Sequence, residues 1–139
     1  MKASVLYRVA SVLLVLFAAG HTVGFVQVDP RWGIDSMVGS MRSIHFDVQG
    51  FNRTYWDFFA GFGFLVTVFL VFAAVLAWQL GGLRPEALAL LRGPVWGLAI
   101  CFAAVTILSC RYFFAAPIVF SVLITVCLVM AAWLSAKPA

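Results

Sequence analysis

Charge is what this chain has least of. Only 10% of its 139 residues are Asp, Glu, Lys or Arg, against roughly 25% in a water-soluble domain. So few ionic groups cannot hydrate a whole surface, and much of the exterior must face hydrocarbon. A basic run is also missing: the nine Lys and Arg residues are scattered, so the net charge of +4 reflects membrane topology and nucleic-acid binding is excluded. No CxxC or Cys/His ligand spacing occurs. The three cysteines (Cys101, Cys110, Cys127) lie in apolar segments, where free thiols act as small packing residues. No metal site and no catalytic signature can be read from the chain.

What is present is apolar length. Residues are 65% hydrophobic, mean hydropathy is +1.09, and the intervals 9–28, 58–83, 93–110 and 112–136 carry no Asp, Glu, Lys or Arg. At 1.5 Å per residue each is long enough to cross a bilayer core of roughly 30 Å as a helix. The expected fold is an all-α bundle of four transmembrane helices, about 4–28, 54–80, 88–110 and 116–135, forming a single integral membrane domain over 1–139. Lys2 and Arg8 before an apolar run, with Ala18-Ala19-Gly20 beyond, look like a signal peptide. The run continues to Val28, however, so the segment is expected to remain as the first span.

Asp29-Pro30 should end that span, since proline disfavours a helical residue before it. In the 29–53 loop, Met37, Met41, Ile44 and Val48 recur at helical spacing and predict a short amphipathic segment; an ordered capping loop is the alternative. Pro85 suits the start of the third span, and Arg111 marks the turn between the third and fourth. Tyr7, Trp78, Trp96 and Trp133 fall at one boundary; Phe51, Tyr55, Trp56 and Tyr112 fall at the other, as interfacial belts. Lys2, Arg8, Arg84, Arg92 and Lys137 would lie inside and Arg31, Arg42, Arg53 and Arg111 outside. That assignment puts both termini in the cytoplasm.

Hydrogen-bonding side chains gather at the outer end, while the inner halves of the spans are nearly featureless. The candidate ligand-binding cluster is His21, His45, Asp47, Asn52, Arg53, Tyr55 and Asp57, joined by Arg111 and Tyr112 from the last turn. His21 and Asp57 lie within spans, where an ionisable group is costly and a functional candidate by default. Each also has a structural reading: His21 bonding a carbonyl or hydroxyl on another helix, Asp57 interacting with a helix N-terminus or pairing with Arg53. His45 also has a reading as a solvated residue, and Arg42 and Arg53 one as contacts for lipid phosphates. Gly20 and Gly24 form a Gly-x-x-x-Gly step for helix packing, and Gly61 and Gly63 form a notch below Asp57 among phenylalanines.

The blocks His21-Thr22-Val23-Gly24-Phe25, Arg42-Ser43-Ile44-His45-Phe46-Asp47 and Gly50-Phe51-Asn52-Arg53-Thr54-Tyr55-Trp56-Asp57-Phe58-Phe59-Ala60-Gly61-Phe62-Gly63 resemble a group of small four-helix bacterial integral membrane proteins. That resemblance covers nearly the whole chain and implies a four-span bundle without an activity. The architecture is loosely similar to DoxX-like and sterol-isomerase-type bundles, and no catalytic motif of either is present.

The expected function is binding of a lipid, isoprenoid or quinone type of amphiphile in a pocket at the outer end of the bundle. One alternative is an enzyme using His21 and Asp57 for acid–base chemistry on a lipophilic substrate. The other is a non-catalytic accessory or oligomer-forming subunit. Expected partners are membrane lipids and either a second copy or another membrane protein. No cofactor is expected, because a bis-histidine haem needs two facing histidines and His45 lies outside the spans.

Overall fold

The computed structural model describes residues 2–135. In chain order it contains α1 (Ala3–Gly24), a 3-10 turn (Pro30–Trp32), α2 (Asp35–Ser43), strands β1 (His45–Val48) and β2 (Phe51–Thr54), then α3 (Tyr55–Leu80), α4 (Pro85–Leu90), α5 (Arg92–Tyr112) and α6 (Ala115–Ser135). The fold is all-α apart from one small hairpin. Helices α1, α3, α5 and α6 have 22, 26, 21 and 21 residues and are apolar enough to cross a membrane. This is an integral membrane protein.

The chain groups into two compact units, one of Met1–Phe17 with Leu70–Ala139 and one of Ala18–Phe69. In the first, portions of all four long helices contribute to a core. Buried positions recur at helical spacing: Tyr7, Ala10 and Leu14 on α1; Leu70, Ala73, Ala74 and Ala77 on α3; Val95, Ala99 and Phe102 on α5; Ile124, Leu128 and Ala131 on α6. The many alanines let backbones approach, which is how helices associate where lipid removes the hydrophobic drive. Polar side chains add specific links. Ser11 Oγ donates to Ala74 O at 2.7 Å, Thr106 and Thr125 join α5 to α6 at 2.9 Å, and Phe17 stacks on Phe120 at 5.4 Å.

The second unit holds the end of α1, the polar loop, α2, the hairpin and the first half of α3. Its hairpin pairs His45 with Thr54 and Val48 with Phe51. The connecting residues Gln49 and Gly50 both take positive φ, 53° and 86°, the backbone that matches the twist of a two-residue hairpin. Asp47 Oδ1 accepts the Gly50 N–H at 3.0 Å and braces this turn.

Several expectations need correction. The first span stops at Gly24, short of Val28, and residues 25–28 continue as a turn and irregular chain. Glycine supports a helix interior poorly, and Val23 beside it is β-branched. The amphipathic helix ends at Ser43, so Met37 and Met41 lie on α2 whereas Val48 lies on a strand. The third span is interrupted at Leu91, which separates α4 from α5. Pro94 explains the break: it offers no N–H to Leu90 O, and its ring crowds that carbonyl. Tyr7 is fully buried and forms no part of an interfacial belt. Cys101 and Cys110 are exposed on α5 and do not pack in the core. Lys137 lies outside the described residues.

The 3-10 turn is held by Asp29, which accepts the backbone N–H and the guanidinium of Arg31. Those bonds hold the Asp29 carboxyl below the usual carboxylate range. Because the folded pKa is depressed, the stabilisation is present above the ordinary value and lost as pH falls through the folded one. Arg31→Ala should raise the Asp29 titration, followed by NMR, toward the ordinary value, the backbone N–H of residue 31 keeping part of the depression. In the same segment, Gly50→Ala places a Cβ at φ 86° and should cost about 1–2 kcal/mol. Faster amide exchange across 45–54, with α5 and α6 unchanged, is the expected readout.

Candidate functional site

The candidate residues of the second unit distribute around α3, and helical geometry decides which can meet. At 3.6 residues per turn, Asp57 and Gly61 lie about 40° apart, while Gly61 and Gly63 lie about 160° apart. The two glycines of the supposed single notch therefore look in nearly opposite directions.

On the Gly63 face, His21 Nε2 lies 3.0 Å from Gly63 O. A carbonyl only accepts, so Nε2 carries the proton and the ring is held in that tautomer. The His21 ring stacks on Phe25 at 5.1 Å, and Phe25 meets Phe64 edge-on at 5.1 Å. Phe25 covers Gly63 so closely that a Cβ there would overlap its ring. One turn further along α3, Thr22 and Thr67 hydroxyls meet at 2.9 Å. Thr22 donates its one proton to Ala18 O at 2.7 Å, so Thr67 donates to Thr22. The longer approach of Thr67 Oγ1 to Gly63 O, 3.3 Å, is the weaker use of that proton. These contacts form a clamp between α1 and α3, with His21 and Gly63 as its centre.

Asp57 belongs to the start of α3. Its Oδ2 accepts the Thr54 N–H at 2.8 Å, and Thr54 Oγ1 accepts the Asp57 N–H at 3.2 Å. This reciprocal pair is a capping box and satisfies two donors that the helix cannot satisfy itself. The second Asp57 oxygen has no hydrogen bond among the described residues. Arg53 and Asp57 do not form the expected ion pair: Arg53 lies on β2, donates from Nη1 to Asn52 O at 2.8 Å and packs over Phe51. Its charge still acts on Asp57.

Beneath Arg53 and Asp57 lies a groove of about 220 Å³, lined further by Phe58, Gly61, Phe62 and Leu65. A Cβ on Gly61 would meet nothing within 4 Å, so this glycine opens the groove and supports no helix contact. Phe62 is 67% exposed and Leu65 51% exposed. Charge sits at one end and apolar surface below it.

The other candidates take separate places. His45 donates from Nδ1 to Asn52 Oδ1 at 2.6 Å across the exposed hairpin, and Asp47 holds the turn. Tyr55 is exposed and packs on Phe46. Arg111 and Tyr112 end α5, both exposed, within the other compact unit. Gly20 and Gly24 face open space, so their Gly-x-x-x-Gly step makes no helix contact within the chain. Sequence reasoning missed Thr54, Thr22 and Thr67 as the polar fasteners of this unit. The spacing Thr54-x-x-Asp57 before an apolar run was the available signal for the first. Nothing comparable marked the threonine pair. Arg42, which the sequence suggests as a contact for lipid phosphate, holds its guanidinium 4.0 Å over the Trp56 ring.

No family model, curated protein or solved structure matches the chain. The geometry alone therefore carries the functional argument.

The clamp makes a sharp prediction. Gly63→Ala should destabilise the protein by about 1–3 kcal/mol, the usual range for overpacking, by driving Phe25 from its seat. Combining it with Phe25→Ala should recover part of the loss, and thermal unfolding of the double mutant against each single mutant measures the coupling.

Proposed function

We propose that the protein binds an amphiphile of the lipid, isoprenoid or quinone type in the groove headed by Arg53 and Asp57. The supporting observation is the ordering of that groove: a guanidinium and a free carboxylate oxygen at one end, then Phe58, Gly61, Phe62 and Leu65 along one helix face. Such a lining suits a head group with both donor and acceptor atoms, a hydroxyl for example, followed by an apolar tail. At about 220 Å³ the groove is smaller than the roughly 300–1,000 Å³ of sites that engulf a ligand. It would grip the head and the first part of a tail, leaving the remainder in the bilayer.

The acid–base alternative has less support, since His21 and Asp57 each hold a structural hydrogen bond, and His21 packs at Gly63 on a different face of α3 from the one that carries Asp57. The oligomer-forming alternative has one favourable feature, the uncovered Gly20–Gly24 face. For topology, Lys2, Arg8, Arg84 and Arg92 on one side and most of the acidic residues on the other support cytoplasmic termini. The resemblance to small bacterial four-helix proteins supports a bacterial inner membrane.

Gly61 provides the test because space surrounds it. Gly61→Leu should fill the groove without disturbing the fold, as judged by an unchanged unfolding temperature. Lipid extraction and mass spectrometry of the unaltered protein should yield one enriched amphiphile, reduced at least tenfold in the variant. Bulk phospholipid alone in both samples would overturn the binding reading and leave the oligomer-forming one.

A further inference from the structure

A larger groove lies where the sequence looked featureless, in the unit formed by Met1–Phe17 and Leu70–Ala139. It measures about 490 Å³ and runs between α1 and α3. Its floor is the Ser11–Ala74 hydrogen bond, so the polar atoms there are already satisfied. Its walls are Val12, Val15 and Leu16 on one side and Val71, Val75 and Trp78 on the other. Seven of these residues, counting Ser11 with the named α1 residues and Val71, Val75 and Trp78, sit at spacings that keep them on one stripe of each helix. From Val71 to Gln79 the groove spans eight residues of rise, roughly 12 Å. One leaflet's share of a hydrocarbon core of roughly 30 Å is about 15 Å. The groove therefore has the length of a single leaflet's acyl chain.

What distinguishes it from a bare apolar face is the charge at its end. Arg8 lies one turn before Ser11 and Val12 on the same side of α1, and its guanidinium sits 5.2 Å over the ring of Trp78, a wall of the groove. Gly81 follows closely: a Cβ there would come within 3.0 Å of Arg8 Cγ, so the absence of a side chain seats the arginine stem. Stacking occupies the face of a guanidinium and leaves its edge N–H donors available. No carboxylate takes them, since Arg31–Asp29 is the ion pair found among the described residues. Arg84, three residues beyond Gly81, adds a second exposed cation to the same turn.

We propose that this groove is a binding site for an anionic phospholipid, with the phosphate on the edge of Arg8 and one acyl chain lying between α1 and α3. A planar guanidinium matches phosphate oxygens in pairs, and a fixed ring beneath it removes the freedom that an exposed arginine would otherwise lose on binding. A helix from a second copy fits less well. It would need an acid on its apolar stripe to face Arg8, and among the four spans only α3 carries one, Asp57, already held in its capping box. The site uses other residues than the Arg53 groove and stands without that reading.

The test uses the full chain in nanodiscs or mixed micelles of phosphatidylglycerol and phosphatidylcholine, with retained lipid counted by native mass spectrometry. The unaltered protein should keep one phosphatidylglycerol in preference to phosphatidylcholine. Arg8→Ala should reduce that preference about fivefold to tenfold, the effect of one interfacial cation, and Arg8→Lys should restore part of it. Val15→Phe should reduce retention of both lipids by filling the groove while leaving Arg8 in place. Helical circular dichroism and the unfolding temperature of Arg8→Lys and Val15→Phe guard against simple misfolding. Equal retention of both lipids by the unaltered protein, or an unchanged preference in Arg8→Ala, would overturn the proposal. So would a dimer in the unaltered protein that Val15→Phe dissociates.

Discussion

A polar group inside hydrocarbon has no water to fall back on, and this constraint organises the molecule. The long helices satisfy their own backbones, which is why they and not sheets form the spans. Side chains obey the same rule. Ser11, Thr22, Thr67, Thr106, Ser121 and Ser135 each donate to a carbonyl or meet another hydroxyl. Those that reach a carbonyl of another helix, as Ser11 and His21 do, become fasteners between helices. One group stands apart: the Tyr7 hydroxyl is buried beside Ser135 without a hydrogen bond of good geometry among the described residues.

The same constraint explains why His21 and Asp57, the two ionisable side chains that drew attention first, take structural partners. An imidazole that donates from Nε2 to a carbonyl on the neighbouring helix satisfies that donor within the fold. A carboxylate at the first turn of α3 meets unpaired backbone N–H groups and the positive end of the helix dipole. Each residue sits where the membrane tolerates it best. Their presence in spans is thus accounted for without shared chemistry, and functional weight moves to groups that still have unused bonding capacity. Among these are Arg53, the second Asp57 oxygen and Arg8.

The spans were legible because hydropathy and length are properties of composition, and a bilayer imposes one answer on them. What escaped was local backbone geometry. Met37, Met41, Ile44 and Val48 have helical spacing, but Gln49-Gly50 supplies a turn that draws residues 45–48 into a strand. Pro94 was visible in the sequence, yet its effect falls four residues earlier, at Leu90. The candidate cluster was legible as a list and illegible as an arrangement. Depth along a helix can be counted from sequence, and Asp57 and His21 were placed by depth. Which way each points depends on azimuth and on partners, and a hydrogen-bond acceptor such as Gly63 O has no signature in the sequence.

Azimuth also explains how one helix serves several purposes. In its first four turns α3 presents Phe59, Gly63 and Thr67 toward the end of α1 and Phe25; Tyr55 and Phe58 toward Phe46 of the hairpin; and Asp57, Gly61 and Leu65 toward the open groove. Two of these faces are closed by packing, which fixes the rotation of α3 and so aims the third. A ligand in the groove would thus meet a surface already held in place, with little ordering cost on binding. The glycines divide the labour accordingly. Gly63 is small because Phe25 must sit on it, whereas nothing in the chain approaches Gly61. An uncovered glycine weakens a helix interior by roughly 0.5–1 kcal/mol relative to alanine. In Gly61 that cost has no return within the fold itself, and a ligand resting against the bare backbone would supply one.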